Sequence, residues 1–128
     1  MKGMGNNSQD KNKKQLFIFG DLNALGGYGF IPLRNPIWVE ALKNEYGDIY
    51  DGLQIWLFAL TEKNGKYDPT VFPGVIRDIN KQDEYEIVVD EKDMKYLSES
   101  TRFKGYTIED VIGKDWYDEI RNNTPEVL

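Results

Sequence analysis

"GLQIWLFAL", residues 52–60, followed by "TEKNGKYD", residues 61–68, decides how this chain folds. Side chains alternate across a strand, so Leu53, Ile55 and Leu57 share one face and Trp56, Phe58 and Leu60 the other. A run that is apolar on both faces needs cover on both, which predicts a central strand. Asn64-Gly65 then supplies two residues that accept the positive φ of a tight hairpin turn. The strand is therefore expected to fold back onto 71–79. Pro73 and Gly74 lie inside that return segment, and because proline cannot donate to a ladder, a bulge or a late strand start is expected there. "NKQDE", residues 80–84, turns the chain once more into Tyr85 to Val89, giving three antiparallel strands joined by short loops.

Upstream, Leu16 to Phe19 is apolar at every position and reads as a further strand, and Gly20 to Leu33 as a long glycine-rich connection. Asn35 before Pro36 is an N-cap followed by a first helical residue. Trp38, Ala41, Leu42 and Glu45 recur at helical spacing, and Gly47 supplies the stop, so a helix is predicted over 36–46. Downstream, "EKDMKYLSES" (91–100) fits a short helix or a continued sheet edge equally well. Thr107 opens a helix with Glu109 and Asp110 in its first turn, where negative charge complements the helix dipole. Ile108, Val111, Ile112, Trp116 and Ile120 form its apolar stripe, and Gly113 marks a place for a break or kink. The expectation is an α+β domain over 15–128, an antiparallel sheet of three to four strands packed by two helices, behind a disordered tail at 1–14 whose composition is polar and without period.

The whole chain of 128 residues contains neither cysteine nor histidine. Disulfides, thiolate chemistry and sulfur-held zinc are excluded, as are mechanisms that need imidazole near its neutral pKa. The N-terminal lysines precede no apolar h-region, and no window approaches the roughly 18 apolar residues of a membrane span, so a cytoplasmic, non-membrane protein is expected. The net charge of −6 is uneven: residues 83–128 carry thirteen acidic and six basic side chains, whereas 1–15 carry four lysines and one aspartate. Such a surface repels phosphate backbones, and direct nucleic-acid binding is not expected of it.

"FIFGDLNA", residues 17–24, resembles the strand-end motif of the endonuclease/exonuclease/phosphatase family, in which the Asp and Asn help place a phosphate and a hydrolytic water. The resemblance implies a metal-dependent phosphoester hydrolase acting through Asp21 and Asn23. That family uses a histidine base and a considerably longer chain, and this sequence has neither, so no catalytic residue is assigned. A hard-metal site at Asp21, Asp48 and Asp51 competes with the ordinary use of Asp beside Gly47 and Gly52 as turn residues, and no metal or cofactor is expected. The glycines at 26, 27 and 29 fit neither the dinucleotide nor the P-loop spacing. They would allow Tyr28, Phe30 and Arg34 to hold a small anionic, nucleotide-like ligand near a helix start. "GYTIEDVIGKDWYDEI", residues 105–120, looks like the linker-to-helix string of PAS sensor domains, but only "RNNTPEVL" follows it, and a terminal amphipathic helix on the sheet accounts for the same pattern.

The acidic, aromatic second half remains. A solvated charged face explains any single one of its carboxylates. Taken together, Asp83, Glu84, Tyr85, Asp90, Asp93, Tyr96, Asp110, Asp115, Tyr117 and Asp118 make a surface suited to a partner protein with a basic cleft, steered by charge and held by aromatics. The expected function is non-enzymatic: inhibiting or scaffolding such a partner, a nucleic-acid enzyme for example. Toxin-neutralising immunity proteins and phage-encoded blockers of host defence share that general character.

Overall fold

A computed structural model of the chain describes residues 13–78 and 84–128, apart from the side chains of 27, 28 and 78. Among the described residues eight strands are formed: β1 Phe17–Phe19, β2 Ile31–Leu33, β3 Gln54–Ala59, β4 Glu62–Lys63, β5 Lys66–Tyr67, β6 Thr70–Asp78, β7 Tyr85–Val89 and β8 Lys95–Tyr96. Four α-helices accompany them: α1 Asn23–Tyr28, α2 Pro36–Tyr46, α3 Ile108–Ile112 and α4 Lys114–Asn123. The main sheet runs β1-β3-β6-β7-β2, with β8 paired to β6, and β4-β5 form a separate ladder.

The α+β class and the β3-β6-β7 meander stand as read from the sequence, but the sheet is six-stranded and mixed. β1 lies parallel to β3, with Phe17 opposite Trp56 and Phe19 opposite Phe58. Antiparallel pairing holds for β2 on β7, with Ile31 opposite Ile87 and Leu33 opposite Tyr85. The expected loop from Gly20 to Leu33 thus holds a helix and an edge strand. Pro32 sits in that edge strand, where a missing donor is tolerated.

Pro73 introduces neither a bulge nor a late start. β6 pairs with β3 in unbroken register from Thr70 to Val75. Ile76 exchanges hydrogen bonds with Leu53 and Gly52 on the β3 side, so by alternation the nitrogen of Pro73 points to the opposite edge. There β7 ends with Val89 opposite Gly74 and β8 begins with Lys95 opposite Val71, so Pro73 falls in a gap that asks for no donor. The Asn64-Gly65 turn forms as expected, with φ of 57° and 80°, between β4 and β5.

The sheet separates two apolar layers. On one side Ile18, Ile31, Leu57, Phe72, Ile76 and Ile87 pack against Val39 and Leu42 of α2. Asn35 caps that helix, its side chain accepting from Ile37 N at 2.9 Å. On the other side Phe17, Phe58 and Val71 meet Val111 and Ile112 of α3 and, less deeply buried, Trp116 and Ile120 of α4. Edge-to-face contacts knit this layer, with Trp116 at 5.5 Å from Phe58 and 5.4 Å from Phe19; such pairs add about 0.5–1.5 kcal/mol each beyond area burial. Gly113, at φ 93° and ψ 159°, divides the expected single C-terminal helix into α3 and α4. The segment 91–100 forms 3₁₀ turns at Glu91–Asp93 and Leu97–Glu99 with β8 between them, so it is both turn and edge. Residues 1–12 of the expected tail lie outside the described residues; Lys13 and Lys14 lie within them and pair with Glu45 and Asp110, each at 3.1 Å.

Candidate functional site

The glycine-rich segment turns a corner. Asp21 Oδ1 accepts from Asn23 N at 3.0 Å, an aspartate turn that starts α1. Gly29 ends α1 at φ 76°, its N–H bonded to Leu25 O at 2.8 Å. Phe30 is half-buried, Arg34 is exposed beside the start of α2, and the Tyr28 side chain lies outside the described residues. Among the described residues no group of three or more His, Cys, Asp or Glu is placed to hold a metal ion.

The acidic residues divide into two groups. One follows β7: Asp90 and Asp93 are exposed, and Asp90 Oδ1 caps a 3₁₀ turn by accepting from Lys92 N at 3.0 Å. Glu84 is half-buried, and Asp83 lies outside the described residues. Tyr85, expected on this surface, is a core residue instead. Alternation along β7 turns Tyr85, Ile87 and Val89 toward the α2 layer and Glu86 and Val88 away from it. Tyr96 is half-buried on β8, its ring 5.4 Å from Lys63 Nζ.

The second group lies on α3 and α4, over β1 and β3. Asp110 completes a reciprocal cap with Thr107: Thr107 N donates to Asp110 Oδ2 at 2.8 Å and Asp110 N donates to Thr107 Oγ1 at 3.1 Å. Asp118 pairs with Lys114 at 2.6 Å and with Arg121 at 3.2 Å. The hydrogen bond from Lys114 leads in holding the Asp118 carboxyl below the usual range, and the same bond raises the lysine. Asp115 is exposed, while Tyr117 is half-buried against the aromatic layer. The sheet order places β6 between β7 and β3, so the two groups lie over different parts of the sheet. Asp110 and Asp118 of the second group are spent on capping and pairing α3 and α4.

A surface that the sequence did not disclose lies beside the first group. Val75 and Val88 are cross-strand partners on β6 and β7, 42% and 44% exposed. They share the sheet face that α3 and α4 cover over β1 and β3 but leave open here. Gln54 is the register partner of Val75 on the β3 side, and Trp56 pairs with Pro73 one step along. At one end, Arg77 and Glu86 form an ion pair, with Arg77 Nε 2.8 Å from Glu86 Oε1. At the other, Arg102 extends over Trp56, its guanidinium carbon 5.1 Å from the ring centroid. A groove of about 310 Å³ runs here between Gln54, Trp56, Pro73, Lys95, Thr101 and Arg102. The signal was present in Gln54, Arg77 and Glu86, polar residues on otherwise apolar strands, but only the register shows that they share one face with Val75 and Val88.

No helix among the described residues is long and apolar enough to cross a membrane. No family model matches this chain, and no curated protein or solved structure is significantly similar to it.

Proposed function

We propose that this chain is a non-enzymatic protein-binding domain that inhibits or scaffolds a partner with a basic surface, and that its contact surface is the open sheet face centred on Val75 and Val88. The carrying observation is that these two valines are cross-strand neighbours, both about two-fifths exposed, beside the exposed carboxylates of Asp90, Glu91 and Asp93. Contiguous exposed aliphatics inside a charged rim are the usual anatomy of a protein contact, with charge setting the encounter rate and orientation and the apolar centre supplying affinity. The class of partner that fits is a nucleic-acid enzyme with a basic cleft.

The test is affinity capture from the source cells with the wild-type chain and with Val75→Lys/Val88→Glu, which keeps an opposite-charge pair across the strands and so preserves the sheet. A partner should be retained by the wild type, released as ionic strength rises, and lost with the double variant. If the partner is a nuclease or polymerase, adding the chain should lower its activity in proportion to occupancy. Equal capture by both chains would exclude this face, and capture of nothing would exclude the function.

A further inference from the structure

The groove beside the open face is a part of this acidic protein where cations stand apart from carboxylates. Arg102 is exposed, and among the described residues its guanidinium lies against rings: 5.1 Å to the Trp56 centroid and 5.7 Å to that of Phe103. Lys95 lines the same groove and likewise has no carboxylate partner among the described residues. Lys13, Lys14, Lys63, Arg77, Lys114 and Arg121 pair with carboxylates and Lys66 donates to the backbone oxygen of Glu126; Arg34, Lys92 and Lys104 stand without a carboxylate partner among the described residues, but none of them lines this groove. Asp93 is the one carboxylate lining the groove among the described residues, and it bonds neither cation.

A guanidinium lying over an indole has already given up part of its rotamer freedom, so binding a planar acceptor costs it less than it costs a free surface arginine. Trp and Arg are also the residues in which interface energy concentrates. Gln54 joins this groove to Val75 through the β3-β6 register, so an occupant of the groove reaches the aliphatic pair directly.

We propose that Arg102, set over Trp56, is the anchor of the contact surface and receives a carboxylate side chain of the partner, with Lys95 beside it and the partner's adjacent aliphatic residue on Val75 and Val88. This rests on the reading of that face as the interface. It adds a requirement that overall charge steering does not make: a partner basic enough to be drawn by Asp90, Glu91 and Asp93 must still present one Asp or Glu at the point of contact.

The probe is a random dodecapeptide library displayed on phage and selected against the immobilised full chain, with selected peptides then titrated by fluorescence polarisation against wild type, Arg102→Ala, Arg102→Lys, Arg102→Glu and Val75→Lys/Val88→Glu. Selected peptides should share an acidic residue beside an aliphatic one. Binding should weaken about 30-fold in Arg102→Ala and recover only in part in Arg102→Lys, which keeps the charge but loses the two-pronged geometry. Arg102→Glu should prefer peptides in which the acid is replaced by Lys or Arg. Peptides that respond to the valine pair but not to Arg102 would overturn the anchor and leave the face standing. Peptides indifferent to both, or no selection at all, would overturn the two together.

Discussion

Gly74 on β6 and Ile87 on β7 stand so close that a methyl group on Gly74 would lie 2.5 Å from Ile87 Cγ2 and 3.0 Å from Leu57 Cδ1. Both neighbours are fully buried, Leu57 on the central strand and Ile87 on β7, so neither can step aside into solvent. Gly74→Ala is therefore expected to destabilise the protein by about 1–3 kcal/mol, the usual cost of overpacking a dense core. Urea unfolding with an unchanged m value is the measurement. Gly26→Ala is the control: that glycine lies inside α1 with nothing within 4 Å of its added carbon, and gains in helix propensity should make the variant as stable as wild type or slightly more.

Gly113→Ala carries a sign that depends on the structure. Read as a mid-helix glycine, its replacement should gain about 1 kcal/mol of helix propensity. In the folded chain Gly113 holds φ 93° and ψ 159°, a region that residues with a side chain enter only at a cost of about 1–3 kcal/mol. The variant is expected to melt lower than wild type. A raised melting temperature would mean that α3 and α4 run together as one helix.

What was legible in the sequence was whatever local chemistry determines alone. The cap and stop of α2, the Asn64-Gly65 turn and the doubly covered β3 each rest on residues within a few positions of one another. What was missed depends on partners far along the chain. β1 lies parallel on β3 although some thirty-five residues separate Phe19 from Gln54, and no local pattern states that pairing. β2 is three residues with a proline in the middle, and its place beside β7 follows only from the curl of the whole sheet. The candidate site shows the same division. Individual carboxylates were visible, and with them the helix-start place of Asp110, but which of them are spent on ion pairs was not, and nothing local shows that the helices stop short of Val75 and Val88.

The Thr107–Asp110 cap makes an acid-limb prediction. Burial opposes ionisation of Asp110, but the backbone hydrogen bond from Thr107, the ion pair to Lys14 and the Thr107 hydroxyl outweigh it and hold the carboxyl below its ordinary 3.8. A carboxyl depressed on folding contributes stability above its unfolded pKa, and that contribution is lost as pH falls through the folded value. Asp110→Asn should therefore lower stability at pH 7 and remove part of the decline seen below pH 4, so that the two curves converge in acid. Thr107→Ala should cost about 1 kcal/mol at neutral pH through loss of the N-cap. Parallel curves from neutral pH down to acid would show that the carboxylate charge plays no part in the cap.

Tyr67 makes the opposite prediction at the alkaline limb. The side chain is 8% exposed, and its hydroxyl is a buried polar atom without a hydrogen-bond partner among the described residues. An unsatisfied buried hydroxyl costs about 1–3 kcal/mol, so removing it should be neutral or favourable. Tyr67→Phe is expected to gain about 1 kcal/mol at pH 7, read as a shifted urea midpoint. Burial also pushes the phenol well above its ordinary value of 10. The unfolded chain then releases its proton near pH 10 while the folded one retains it, so the wild type loses stability as pH rises past 10, and the Tyr67→Phe variant, with nothing to ionise there, does not share that loss. The advantage of the variant should widen between pH 9 and pH 11. A variant less stable than wild type at neutral pH would mean that the hydroxyl has found an acceptor beneath β5, and a pH-independent difference would mean that the phenol reaches solvent.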